Sequence, residues 1–187
     1  LYSTQNFILT GNDLNNCENK DTVTITVHPL PNIDAGNNLS LCLEDSITLN
    51  ASNGDSYTWL PNYNINNTNT YNPVIYPQTD TTYFVTGVDT NGCANIDSVQ
   101  ITIDALPTIT TSNDTSLCSG DSISISAGGG VSYLWLTTDS IDQTTINNPS
   151  IWPTNSTIYQ VLVTGSNNCS DTAVSYTHLR AHETVRN

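Results

Sequence analysis

Five cysteines have the most versatile chemistry in this chain, because a thiol can bind a metal ion or join a second thiol in a disulfide. No cysteine has another cysteine or a histidine two to four residues away, so the spacing does not indicate a zinc site. Instead, Cys17, Cys93 and Cys169 are evenly spaced, and Cys42 and Cys118 are separated by the same interval. This spacing indicates an internal repeat, whose period is the interval from Cys17 to Cys93.

Other residues that could do chemistry are isolated. The stretch DTNG at 89–92 has part of a calcium loop but lacks the alternating ligands and the terminal Glu, so a hairpin turn is the preferred interpretation. Glu44 and Asp45 could form a glycosidase pair, yet Gly120 replaces Glu44 one period later. His28 is alone in a linker. We therefore predict no enzymatic activity, no catalytic residue, no cofactor and no metal site.

The composition excludes several classes of partner. The chain has 187 residues, 17 acidic and three basic side chains (Lys and Arg), and a net charge of −14. Phosphate binding needs Lys and Arg, so nucleic acid and anionic membrane surfaces are poor partners. No apolar run is long enough for membrane insertion. Because the sequence contains no methionine, we expect a fragment of a longer protein.

The repeat continues along the chain without a gap. SLCLEDSITLNASNGDSYTWL at 40–60 returns as SLCSGDSISISAGGGVSYLWL at 116–136, and CENKDTVTITVHPLP at 17–31 corresponds to CANIDSVQITIDALP at 93–107. The boundaries predict the last strands of a truncated repeat at 1–31, a complete repeat at 32–107, a repeat without its native last strand at 108–173, and a tail at 174–187.

Within each repeat, apolar and polar residues alternate over short stretches that are separated by Asp, Asn and Gly turns. This pattern is typical of strands and hairpins and predicts an all-β sandwich. The predicted core of the complete repeat is Ile47, Leu49, Trp59, Tyr83, Val85, Val99 and Ile101.

The order SLC…DSITL…SYTWLP…NPVIYP…TTYFVTGVDTNGC…DSVQITI…LP over residues 1–173 resembles the Ig-like or PKD-like repeats of large secreted Bacteroidetes proteins. Those are adhesin-type chains associated with gliding motility or type IX secretion. The resemblance implies tandem Ig-like antiparallel β-sandwich repeats, each of the length of residues 32–107, a secreted or cell-surface location, and a role in adhesion or as a spacer. Its partners would be neighbouring repeats, surface glycans or other cell-surface proteins. The LPN that follows Trp59 departs from the acidic-glycine motif of PKD domains.

For an extracellular chain, the cysteine spacing favours disulfides. Cys42 and Cys93, and likewise Cys118 and Cys169, are separated by equal intervals, which predicts one bridge in each repeat. Cys17 would then pair with a residue before Leu1. The alternative is that the two members of a pair lie at different ends of the sandwich, out of reach of each other.

Two kinds of surface site are further hypotheses. Tyr76 and Trp152 occupy equivalent positions before a proline and could stack on glycans, or they could pack against a neighbouring repeat. The resemblance implies O-glycosylation at Asp-Ser or Asp-Thr signals, although Asp-Ser also commonly ends a turn before a strand. The candidate acceptors are Thr22, Ser46, Ser98, Ser122, Ser140 and Thr172.

The last residues differ in character from the rest. VSYTHLRAHET at 174–184 resembles the translation of a sequencing-library adaptor, which predicts a non-native tail on a metagenomic fragment. We therefore do not interpret His178, His182 and Glu183 as a site. An alternative function for the whole chain is an accessory Ig-like or carbohydrate-binding module of a secreted hydrolase.

Overall fold

A computed structural model describes residues 3–180, and in this range the chain contains strands and turns but no helix. Consequently, none of the described residues belongs to a helix that could cross a membrane. The chain divides into two compact units, Leu1–Thr102 and Ile103–Asn187. The predicted all-β class is confirmed.

The first unit begins with a hairpin of β1 (Gln5–Asn12) and β2 (Glu18–Ile25), which pair antiparallel with Phe7 opposite Val23. Every residue of the two strands is exposed, including Ile8 and Leu9. Phe7 and Val23 stand one period before Tyr83 and Val99, which are fully buried. The hairpin therefore has the apolar pattern of a sandwich strand pair, but both of its faces are exposed.

The rest of the first unit is a sandwich of two sheets. Its strands are β3 (Leu39–Cys42), β4 (Ile47–Thr48), β5 (Ser56–Leu60), β6 (Val74–Ile75), β7 (Thr81–Val88) and β8 (Ala94–Asp104). One sheet has the order β3-β8-β7-β5, and the other pairs β4 with β6. β7 pairs antiparallel with both β5 and β8.

The second unit repeats this arrangement. Its strands are β9 (Thr110–Thr111), β10 (Thr115–Cys118), β11 (Ile123–Ser124), β12 (Ala127–Gly128), β13 (Ser132–Trp135), β14 (Ser150–Ile151), β15 (Thr157–Thr164) and β16 (Ser170–Arg180). The larger sheet has the order β10-β16-β15-β13, and the other face consists of β11 with β14 and β12 with β9.

The two sandwiches follow the same period as the sequence. β3, β7 and β8 have the same bounds as β10, β15 and β16 after a shift of one period. The Ig-like antiparallel β-sandwich is confirmed, with one addition to the expected pairing. β10 lies parallel to β16 at the sheet edge, with Thr115 beside Thr177.

The core lies between the two sheets of each sandwich. Six of the seven predicted core residues of the complete repeat are buried, and the exception, Ile47, is half-buried. The same positions of the second unit hold Trp135, Tyr159 and Val161, each at most 1% exposed. A tryptophan can lie there because its indole N–H has an acceptor: Trp59 Nε1 donates to the Thr70 carbonyl at 2.9 Å.

β16 continues through the first part of the predicted tail. Ser175 and Thr177 are fully buried, at the positions where β8 has Val99 and Ile101. The Thr177 hydroxyl donates to the Thr157 carbonyl at 3.0 Å. Tail residues 181–187, with His182 and Glu183, lie outside the described residues.

Candidate functional site

The predicted disulfide within the third repeat is wrong, because its two cysteines lie at opposite ends of β16. Cys118 ends β10 and is level with Arg180, the last residue of that strand, whereas Cys169 immediately precedes its first residue. A strand of 11 residues is roughly 35 Å long, and a disulfide needs Cα atoms within about 7 Å. Cys118 accordingly carries a free thiol.

The equivalent bridge in the complete repeat is also absent. Cys42 ends β3, which lies beside β8, and Cys93 comes directly before β8. Cys93 is a free thiol, as is the exposed Cys17. Cys42 and Cys169 are disulfide-bonded. The prediction that disulfides form is therefore supported, but the pairing Cys42–Cys93 and Cys118–Cys169 is not.

The DTNG stretch forms a closed hairpin turn. Asp89 Oδ1 accepts hydrogen bonds from the backbone N–H groups of Asn91 at 2.9 Å and Cys93 at 2.8 Å. The bond from Cys93 contributes most to lowering the pKa of the Asp89 carboxyl, because it stabilises the charged form. Asp13 makes the same bonds to Asn15 and Cys17 one period earlier. These bonds agree with the turn interpretation.

Tyr76 and Trp152 follow β6 and β14, and their side chains remain accessible. Tyr76 is 43% exposed and Trp152 is 46% exposed, while the preceding Ile75 and Ile151 are fully buried. The backbone at each aromatic residue is fixed, since Tyr76 N–H donates to the Asn64 carbonyl and Trp152 N–H donates to the Ser140 carbonyl, both at 2.9 Å. Both rings can therefore present a face to a ligand, and glycan stacking stays a prediction.

The candidate O-glycosylation residues fall into two structural settings. Thr22, Ser98 and Thr172 are exposed residues within strands β2, β8 and β16. Ser46 and Ser122 are exposed in turns that precede β4 and β11, as the turn interpretation expects. Ser140 is half-buried, with a backbone φ of 53°. Modification at these hydroxyls stays a prediction.

A groove of 450 Å³ in the first unit was not predicted from the sequence. One wall consists of residues 55–58, at the start of β5, and the other of residues 69–71, in the irregular segment before β6. Tyr71 is 55% exposed there. Sequence reasoning missed the groove because residues 69–71 have no strand periodicity that would place them beside β5. Tyr71, the aromatic residue nearest the polar stretch NNTNT, was the available signal.

Among the described residues, no group of three or more His, Cys, Asp or Glu side chains is arranged to hold a metal ion. No protein-family model matches the chain, and no curated protein matches it.

Several solved structures are similar in fold. The crystal structure of DIP-gamma IG1+IG2 is 14% identical, with a TM-score of 0.36 over 82% of this chain and 99% of that one. The insect immune protein hemolin is 9% identical, with a TM-score of 0.41 over 94% of this chain and 56% of that one. A Ca2+-stabilised adhesin with which an Antarctic bacterium binds ice is 11% identical, with a TM-score of 0.40 over 96% and 58%. At these identities the likeness concerns the fold alone.

Proposed function

We propose that this chain is a non-catalytic extracellular Ig-like module of a large bacterial surface or secreted protein, serving adhesion or as a spacer. The observation that carries the proposal is the regular structural period, in which strands of one sandwich recur one period later with the same bounds. Each further copy of a small domain adds length and surface without new chemistry, which suits both roles.

The disulfide chemistry supports the extracellular location. Cys42 and Cys169 are disulfide-bonded, and such bonds persist mainly in oxidising compartments outside the cytosol. The origin in a Bacteroidetes surface protein rests on the sequence resemblance over residues 1–173. Neighbouring repeats, surface glycans and other cell-surface proteins are the partners that we propose.

Single-molecule force spectroscopy tests the module as a mechanical unit. The full chain, and chains lengthened by two and four further copies of residues 32–107, are pulled under reducing conditions so that no disulfide limits extension. Each added copy should give one unfolding event with a contour gain of about 250 Å. Copies that show no resistance to force, or that all unfold in one event, would contradict the spacer role.

Carbohydrate binding, as in an accessory module of a secreted hydrolase, is the second candidate function. The observation that favours it is the pair of accessible rings at equivalent positions, Tyr76 and Trp152. A glycan array probed with the labelled full chain tests it. Selective binding that is lost on Trp152→Ala or Tyr76→Ala would place the function at these rings.

A further inference from the structure

The groove of the first unit has walls that are fixed before any ligand arrives. Trp59 N–H donates to the Thr68 carbonyl at 2.8 Å and its indole N–H donates to the Thr70 carbonyl at 2.9 Å. Ala51 N–H donates to the Tyr71 carbonyl at 2.7 Å. The irregular segment is thus held against β5 and the edge of the sandwich at three points. A preformed site loses little conformational entropy when it binds.

The groups that line the groove are polar and include one aromatic ring. Tyr71 offers an exposed ring, and Asp55 offers a carboxylate that has no hydrogen-bond partner among the described residues. Asn69 Oδ1 accepts only a long bond of 3.5 Å from Thr58 Oγ1, so this amide keeps capacity for a ligand. Carboxylate, amide and hydroxyl groups beside a ring match a saccharide, which has many hydroxyls and an apolar C–H face.

Charge narrows the ligand class. The groove contains the Asp55 carboxylate and no basic side chain, and the chain carries a net charge of −14. An acidic glycan would meet repulsion from both. A neutral sugar can donate its hydroxyls to the carboxylate without that penalty.

The third repeat provides an internal comparison. It keeps the same frame, because Trp135 Nε1 donates to the Ile146 carbonyl at 2.9 Å. Yet Val131, Leu134 and Asn147 stand where the complete repeat has Asp55, Thr58 and Tyr71. Val131 is 69% exposed, so its side chain is not needed for packing. The fold therefore does not require the carboxylate, hydroxyl and aromatic ring that line the groove, and these groups are specific to the complete repeat.

We propose that residues 55–58 and 69–71 form a binding site for a neutral saccharide, with Tyr71 as the stacking platform and Asp55 as the main hydrogen-bond acceptor. This inference rests on the carbohydrate-binding candidate function and assigns it a site different from Tyr76 and Trp152. It does not depend on the spacer role, which the force measurement tests separately.

The experiment uses the full chain on an array of neutral, acidic and amino-sugar oligosaccharides, followed by titration calorimetry with the best neutral glycan. Tyr71→Ala should weaken binding at least tenfold, whereas Tyr71→Phe, which keeps the ring, should bind within about threefold of the parent chain. Asp55→Asn should weaken binding several-fold and leave the circular dichroism spectrum unchanged. Tyr63→Ala is the matched control, since Tyr63 is a 56% exposed tyrosine outside the groove, and it should have no effect.

The outcomes are distinguishable. Binding that survives Tyr71→Ala but is lost on Tyr76→Ala or Trp152→Ala overturns the groove and keeps the carbohydrate-binding function. Binding to acidic or amino-sugar glycans alone overturns the assignment to neutral sugars. A chain that binds no glycan overturns both the groove and the carbohydrate-binding function, and leaves the spacer role standing.

Discussion

Two polar residues in the core of the second unit allow a quantitative test of its packing. Ser175 and Thr177 are fully buried in β16, one period after Val99 and Ile101. The residues around these positions correspond between the two sandwiches: Trp59, Tyr83 and Val85 in the first are Trp135, Tyr159 and Val161 in the second. Since these three large neighbours match, the double change Ser175→Val and Thr177→Ile should fit and stabilise the second unit.

The expected gain in the free energy of unfolding is the contribution of the newly buried carbon atoms minus that of the hydrogen bonds that are lost. Four added carbon atoms contribute about 3 kcal/mol at ~0.8 kcal/mol for each buried methylene. Ser175 Oγ loses two long contacts, one of 3.4 Å with Ser112 Oγ and one of 3.5 Å with the Ser112 carbonyl, and Thr177 loses its 3.0 Å bond to the Thr157 carbonyl. Losing the two hydroxyl bonds offsets about 1–2 kcal/mol. Ser112 keeps a bond from Ser126 N–H at 3.2 Å, so no hydroxyl is left without a partner. The net stabilisation is roughly 1–2 kcal/mol.

Hydrogen exchange of the full chain measures this change within one unit. Amides of β15 and β16 should exchange about 5–30-fold more slowly in the double variant, and those of β7 and β8 should not change. The reciprocal pair Val99→Ser and Ile101→Thr should accelerate exchange in β7 and β8. Val174→Ser, at a position that is 56% exposed, is the control and should leave both units unchanged. Equal or faster exchange in β15 and β16 of the double variant would refute the packing argument.

Three further results are expected. Denatured without reduction, the chain should show three reactive thiols, those of Cys17, Cys93 and Cys118; one bridge in each repeat would leave a single thiol. Gly87→Ala should destabilise the first unit by about 1–3 kcal/mol in a denaturant titration, because the new β-carbon overlaps the buried Ile33 Cδ1. Gly11→Ala, at the same repeat position but with no atom within 4 Å, should be neutral. Burial, followed by the nearby Tyr63 and Tyr76, raises the pKa of Tyr83 to about 12. Since the unfolded phenol has a pKa of about 10, the stabilisation is complete below that pH and should be lost as pH rises toward 12. A stability curve for the first unit that is flat over this window would contradict the assignment.

The strands and the core could be predicted because they depend on local alternation. Val99 and Ile101, two residues apart in a strand, must point to one face, and the sequence around them supplies the turns. The parallel edge strand could not be predicted in this way. β10 is only four residues long, and its place beside β16 depends on a pairing between residues that are far apart in the chain.

The cysteines illustrate a different limit. The repeat period identifies equivalent positions in successive repeats, but it contains no information about which end of the sandwich each position occupies. That information lies in the length and direction of β16, which separates Cys169 from the level of Cys118 by its whole length. The groove depends likewise on a tertiary contact, because Tyr71 meets β5 only through the hydrogen bonds that hold its segment.

The buried Ser175 and Thr177 also bear on the predicted tail. The repeats place Val and Ile at these positions, as in VTI at 23–25 and VQI at 99–101, whereas Ser175 and Thr177 belong to the stretch that resembles an adaptor. A strand can form there in either case, because its backbone pairing with β15 needs only alternation. The packing of the side chains at 175 and 177 distinguishes a foreign stretch from a native strand. If the stretch is foreign, its large neighbours are still those that pack against Val and Ile in the complete repeat, and the double variant should gain stability. A native strand would have neighbours fitted to Ser and Thr, and there the larger side chains should cost stability through overpacking.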